Sequence, residues 1–140
     1  MSKEILYILL PDFASHEMVY LMEAISSDET QLKPNPKYIN KIVAPTMEPV
    51  TAIGGFRVIP DYSFESIPED YAALILIGGY GWLTPISTEV IPIVRKALDN
   101  SKIVGSFSLI ALRQSFSLDE LTREFLGSGS LSLPRLGLQA

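Results

Sequence analysis

Two short segments hold most of the residue types that could do chemistry. His16-Glu17 sets the chain's single histidine beside a carboxyl group, and Gly78-Gly79-Tyr80-Gly81-Trp82 closes a long apolar run. Glycine carries no Cβ, so the backbone N–H groups of Gly78 and Gly79 can come close to a developing oxyanion. The same pair serves equally well as a plain strand-to-loop turn. No Lys-Ser or Lys-Thr follows it and no GxGxxG is present, which weakens a phosphate-cradling reading. Trp82 either lines a pocket or packs over the sheet. Adjacent residues on a helix point about 100° apart, so His16 and Glu17 do not face the same group. His16 reads as a surface or cap residue. One histidine with scattered carboxylates makes no metal-ligand set, and neither a metal nor a cofactor is expected. The chain has no cysteine, which excludes disulfides, thiolate metal sites and a thiol nucleophile supplied by this chain.

The composition narrows the classes further. A length of 140 residues suits one domain with a real hydrophobic core. Apolar content of 47% against 19% charged residues reads as globular. The net charge of −5, with no Lys/Arg cluster in the sequence, argues against a nucleic-acid surface. Ile5 to Leu10 is too short an apolar run for a signal-peptide core or a membrane span, so a cytoplasmic location without membrane attachment is expected.

The elements that must position these residues follow from periodicity. Ile5–Leu10 is continuously apolar and ends at Pro11-Asp12, as a strand buried on both faces would. Met18, Leu21, Met22 and Ile25 form one helical stripe. Ser26–Pro36 is polar with two prolines and reads as a loop. Tyr38–Ala44 is a second strand. Val50–Ile53, Gly54-Gly55 and Phe56–Ile59 predict a hairpin closed by a two-residue turn. Tyr71–Ile77 is the most apolar run and predicts a central strand. A second helix is expected over about Thr88–Asn100, with Ile91, Val94 and Leu98 on one face and Pro92 in the first turn. Lys102–Val104 predicts a short strand ending at Gly105. Strands alternating with helices imply βαβ crossovers and a mainly parallel sheet. Ser117 and Glu120 have capping-box spacing before a short Leu118/Leu121/Phe125 stripe.

In order and spacing, the residues up to Gly105 resemble the ThiJ/PfpI superfamily, a group of class I glutamine amidotransferase-like domains. The matching segments are ILLPDFASHE, VTAIGGFRVIPDYSF, LILIGGYGW and KIVG, and together they span about three-quarters of the chain. The resemblance implies a three-layer, doubly wound α/β fold of flavodoxin-like type with a β-hairpin, over residues 1–126. It implies a cysteine-dependent activity, hydrolysis or transfer on small amide or carbonyl compounds. Glu17 stands at the family's acidic partner of the nucleophile. Gly78, Gly79, Trp82 and Leu109 stand at oxyanion or substrate-binding positions. The family's elbow reads Gly-Ala-Ile-Cys, usually followed by His or Asn. Here it reads Gly105-Ser106-Phe107-Ser108 and then Leu109, so Ser108 replaces the cysteine. A helix N-terminus that acidifies a thiol does little for a serine hydroxyl, which needs a placed general base. Ser108 is therefore expected not to act as a nucleophile, and activity is expected to be absent or impaired. The alternative is a non-catalytic domain that senses a small molecule and acts through a partner protein. A small-molecule ligand and a homodimer both remain open.

Residues 109–140 hold nine Leu, five Ser and three Arg, and 127–140 read as a flexible tail. These residue types have six codons each, the bias expected of DNA read in a shifted frame. A frameshift near codon 105 predicts that one of the other two frames encodes a cysteine elbow and further strands. A divergent, shortened paralogue predicts neither.

Overall fold

The computed structural model describes residues 2–26 and 36–106. In chain order these form β1 (Lys3–Ile8), α1 (Ser15–Ser26), β2 (Tyr38–Ala44), β3 (Val50–Thr51), β4 (Arg57–Val58), β5 (Tyr62–Ser63), β6 (Ala73–Leu76), α2 (Val90–Asp99) and β7 (Ile103–Ser106). Two 3-10 turns, Tyr80–Leu83 and Pro85–Glu89, join β6 to α2. Most of the Ser26–Pro36 loop, the Ser117/Glu120 capping pattern and the 127–140 tail lie outside the described residues.

Five strands form one sheet in the order β5-β2-β1-β6-β7, and every pairing in it is parallel. β1 sits in the middle, which explains its unbroken apolar run: its side chains enter a core on each face. Leu6, Ile8 and Leu10 join Leu74, Leu76 and the α2 residues Val90, Val94 and Ala97. Ile5, Tyr7 and Leu9 join Met18 of α1 and the hairpin residues Val50 and Ala52. Strand alternation thus divides the core in two, with one helix over each face of the sheet. This is the expected doubly wound, flavodoxin-like α/β architecture with a small antiparallel hairpin of β3 and β4.

Four details differ from the sequence reading. The hairpin turn has three residues rather than two. Gly55 N–H donates to the Ala52 carbonyl and Ala52 N–H to the Phe56 carbonyl, and of the two glycines only Gly55 has positive φ, at 92°. That is a turn followed by a left-handed residue, the other common way to close a hairpin. The α-helix starts at Val90, because Pro85–Glu89 is wound as a 3-10 turn, and its buried stripe is Val90, Val94 and Ala97 rather than Ile91, Val94 and Leu98. β7 runs through Gly105 to Ser106. Finally, Tyr62-Ser63 pairs with Val43-Ala44 as an edge strand that the sequence did not announce.

Side-chain hydrogen bonds tie β2 to β1 and to α1. The Tyr7 hydroxyl donates to Asn40 Oδ1 at 2.8 Å, and Asn40 Nδ2 donates to the Met22 carbonyl at 3.3 Å. Burial raises the Tyr7 phenol to about 12. An unfolded chain releases this proton near pH 10, so between pH 10 and 12 the folded state holds a proton that the unfolded state has lost. The stabilising contribution of the neutral phenol is therefore complete below pH 10 and falls as pH rises toward 12. Denaturant melts across this range are expected to show a loss of about 2–3 kcal/mol from this group. Tyr7→Phe should flatten that part of the profile while lowering stability at neutral pH.

Candidate functional site

The chain moves outward from β1 to β2 and β5, then returns to the other side of β1 with β6. The loops after β1 and β6 therefore leave the carboxyl edge of two neighbouring strands at the point where the winding changes direction. In open α/β sheets, that crevice is where ligands bind.

The two loops are stitched together by their backbones. Ala14 N–H donates to the Gly78 carbonyl at 2.8 Å, and Tyr80 N–H donates to the Asp12 carbonyl at 3.1 Å. Phe13 bridges antiparallel to Gly79 on one side and parallel to Ala52 of the hairpin on the other. Asp12 N–H donates to the Thr51 carbonyl and Ile53 N–H to the Phe13 carbonyl, at 2.8 and 3.0 Å. Asp12 takes a positive φ of 61°, which Asp tolerates better than most side chains. The Phe13 ring meets Phe56 of the hairpin edge-on, with centroids 6.0 Å apart.

Glycine is required where these loops touch. Gly79 has φ 148°, and a Cβ there would lie 2.3 Å from the Asp12 carbonyl oxygen and 2.7 Å from Phe13 Cα. A Cβ on Gly81 would lie 2.5 Å from the Pro11 carbonyl oxygen. The Gly-Gly-Tyr-Gly segment is thus built for close approach to the β1 loop.

Glu17 enters this arrangement from the first turn of α1. Its Oε2 accepts the Gly78 N–H at 2.7 Å. Half-buried Glu17 and exposed His16 point apart, as neighbours on a helix should. One of the two amides read as oxyanion donors, that of Gly78, is therefore occupied by the Glu17 carboxylate. Trp82 is 1% exposed in the α2-side core, and its indole N–H donates to the Ile77 carbonyl at 2.6 Å. It braces the loop from beneath, inside the core.

β7 reaches the same edge. Ser106 pairs in register with Leu76, two residues before Gly78. Ser108 and Leu109 lie outside the described residues. A separate cavity of about 420 Å³ lies between α2 and the 64–69 segment and is lined by neither Glu17 nor Gly78. Among the described residues no group of three His, Cys, Asp or Glu could hold a metal ion, and no helix is long and apolar enough to cross a membrane.

The charge-assisted bond from Gly78 to Glu17 predicts a measurable stability effect. Glu17→Ala is expected to lower unfolding free energy by about 1 kcal/mol, the value for a partly solvated bond of this kind. Glu17→Gln keeps an acceptor oxygen and should lose less. Urea titration of the three proteins checks this order.

Comparison with known proteins agrees with the geometry. A DJ-1 superfamily protein from Agrobacterium tumefaciens is 28% identical, with a TM-score of 0.63 over 74% of this chain and 52% of that one. A thiJ/pfpI family protein from Bacillus anthracis is 26% identical, with a TM-score of 0.60 over 76% and 50%. Drosophila melanogaster DJ-1beta shares the fold at 18% identity, with a TM-score of 0.62 over 82% and 61%. The chain thus spans about half the length of the two bacterial proteins. No match was found among functionally curated proteins. The DJ-1/PfpI family profile matches residues 3–109, and with the parallel sheet and the stitched loops at its carboxyl edge it shows that the chain belongs to the DJ-1/PfpI family.

Proposed function

We propose that this chain is a DJ-1/PfpI domain that keeps a small-molecule site at the carboxyl edge of its sheet but lacks effective nucleophilic chemistry. The reading rests chiefly on the Glu17 carboxylate held by the Gly78 N–H at 2.7 Å in a chain that has no cysteine. A carboxyl group beside a nucleophile serves to hold or pass its proton. The acidic half of such a pair is present here, together with the glycine backbone. By the family resemblance Ser108 stands at the nucleophile position, where a serine hydroxyl needs a placed general base, and the chain's single histidine, His16, is exposed and points away from Glu17.

The family's hydrolysis or transfer on small amide or carbonyl compounds is accordingly expected to be absent or severely impaired. A role as a ligand-sensing domain acting through a partner protein fits a preorganised edge better than it fits turnover. Thermal-shift measurements on the full chain with small α-oxoaldehydes and primary amides, paired with product assays, test this. Saturable stabilisation with product formation no faster than in buffer supports the proposal. Turnover by the wild-type chain that Glu17→Gln abolishes would overturn it.

A further inference from the structure

The opposite edge of the sheet carries a charge pattern that the carboxyl-edge site does not use. The chain is acidic overall, at −5, yet Lys3, Lys37 and Lys102 line one shallow hollow of about 580 Å³ together with Tyr38, Tyr71 and Ser101. The topology puts them in a row. Lys3 opens β1 and pairs in register with Tyr38, directly after Lys37. Lys3 N–H also donates to the Lys37 carbonyl at 2.9 Å. On the other side of β1, Ala72 N–H donates to the Glu4 carbonyl and Ile103 N–H to the Ala72 carbonyl, which brings Lys102 to the same edge.

Lys102 is set by the end of α2. Ser101 has φ 58°, Lys102 N–H donates to the Ala97 carbonyl and Ser101 N–H to the Leu98 carbonyl. This is a Schellman closure, which fixes the direction in which the chain leaves the helix. Two of the ammonium groups rest on aromatic rings. Lys102 Nζ lies 4.9 Å from the Tyr71 ring centroid, and Lys37 Nζ lies 5.3 Å from that of Tyr38.

Among the described residues their charges are not spent on carboxylates. Lys41 and Lys96 pair with Asp61 and Glu69 at 3.8 and 3.3 Å, but Lys3, Lys37 and Lys102 make no ion pair among the described residues. The nearest carboxylate in sequence, Glu4, accepts the Tyr62 hydroxyl at 2.8 and 2.9 Å. Three like charges gathered on one edge of an acidic protein repel each other. An anion between them reverses that balance.

We infer that this amino-terminal edge binds a small molecule bearing an oligophosphate. Strand spacing of about 4.8 Å spreads the three lysines over about 14 Å from β2 to β7. That span suits a chain of phosphates better than one phosphate or one carboxylate. Lysine binds phosphate as a point charge on a flexible stem, so the row can adjust to the anion's length.

Calorimetric titration of the full chain with sodium tripolyphosphate at low salt tests the site. Saturable binding is expected, weakened at least about tenfold in the Lys3→Gln/Lys37→Gln/Lys102→Gln variant and weakened by added salt in the wild type. The variant should melt at the wild-type temperature without ligand. If it does not fold, Lys102→Gln alone should weaken binding about threefold. Adenosine triphosphate binding more tightly than tripolyphosphate would assign part of the affinity to the tyrosine rings and point to a nucleotide. Equal affinities would assign it all to the phosphates, and both results support the site. Absence of saturable binding, equal affinity in the wild type and the lysine variants, or a glutamate-rich peptide binding more tightly than tripolyphosphate would each overturn the inference.

Discussion

Gly79→Ala is expected to cost at least about 3 kcal/mol of folding free energy. Two causes act together. The residue holds φ 148°, a backbone state that a side chain strains. The added Cβ would also sit 2.3 Å from the Asp12 carbonyl oxygen and 2.7 Å from Phe13 Cα. Both neighbours are backbone atoms, and both are tied down: the Asp12 carbonyl accepts the Tyr80 N–H and the Phe13 carbonyl accepts the Ile53 N–H. The clash can relax only by opening the stitched loops. Gly55→Ala is the control. Gly55 also has positive φ, at 92°, but a Cβ added there would meet nothing within 4 Å. That variant should lose only the conformational strain of about 1–2 kcal/mol. Equilibrium unfolding followed by fluorescence of the single tryptophan measures both. Equal losses for the two variants would show that the contact between the β1 loop and the glycine loop is not tight.

Trp82→Ala is expected to be equally damaging, at about 3–5 kcal/mol. The indole is 1% exposed and packs among Leu10, Leu76, Val90 and Val94 in the α2-side core. Removing it leaves a large cavity beneath the glycine loop and takes away the donor to the Ile77 carbonyl. Trp82→Phe separates these effects: it restores most of the volume but not the N–H, and should cost about 1–2 kcal/mol. Because both variants lose the intrinsic fluorescence probe, circular dichroism is the readout. A Trp82→Ala protein as stable as the wild type would contradict the placement of this side chain.

The sequence carried the parts of the fold that depend on burial alone. β1 was readable because a strand covered on both faces must be apolar at every position from Ile5 to Leu10. β2 was readable from Ile42 and Val43 in an otherwise mixed segment. The errors arose where a tertiary contact decides between local alternatives. Gly54-Gly55 allows either a two-residue or a three-residue hairpin loop, and the register Val50–Val58 and Thr51–Arg57 selects the latter. The α2 stripe shifted because the helix begins only after a 3-10 turn, and because Ala97, a weak signal in a periodicity count, packs against the sheet. Tyr62-Ser63 is a strand only because β2 offers it an open edge.

At the site, Glu17 drew attention through its family resemblance and not through its own pattern, since a first-turn glutamate is ordinary. Its partner Gly78 is 61 positions away, and only the parallel β1–β6 pairing brings the two together. Gly81 was missed as a contact residue, although its spacing in Gly-Gly-Tyr-Gly was visible. The lysine row escaped notice because its members lie far apart in sequence and meet only where strands begin.

The docking of a carboxylate on the glycine backbone is the core of the account. Amide hydrogen exchange at Gly78, compared between the wild type and Glu17→Ala, tests it most directly. The Gly78 amide should exchange at least about tenfold faster in the variant, while the β1 amides of Leu6 to Ile8 keep their protection. Identical Gly78 exchange in the two proteins would mean that the carboxylate does not hold that amide, and the proposed site would lose its foundation.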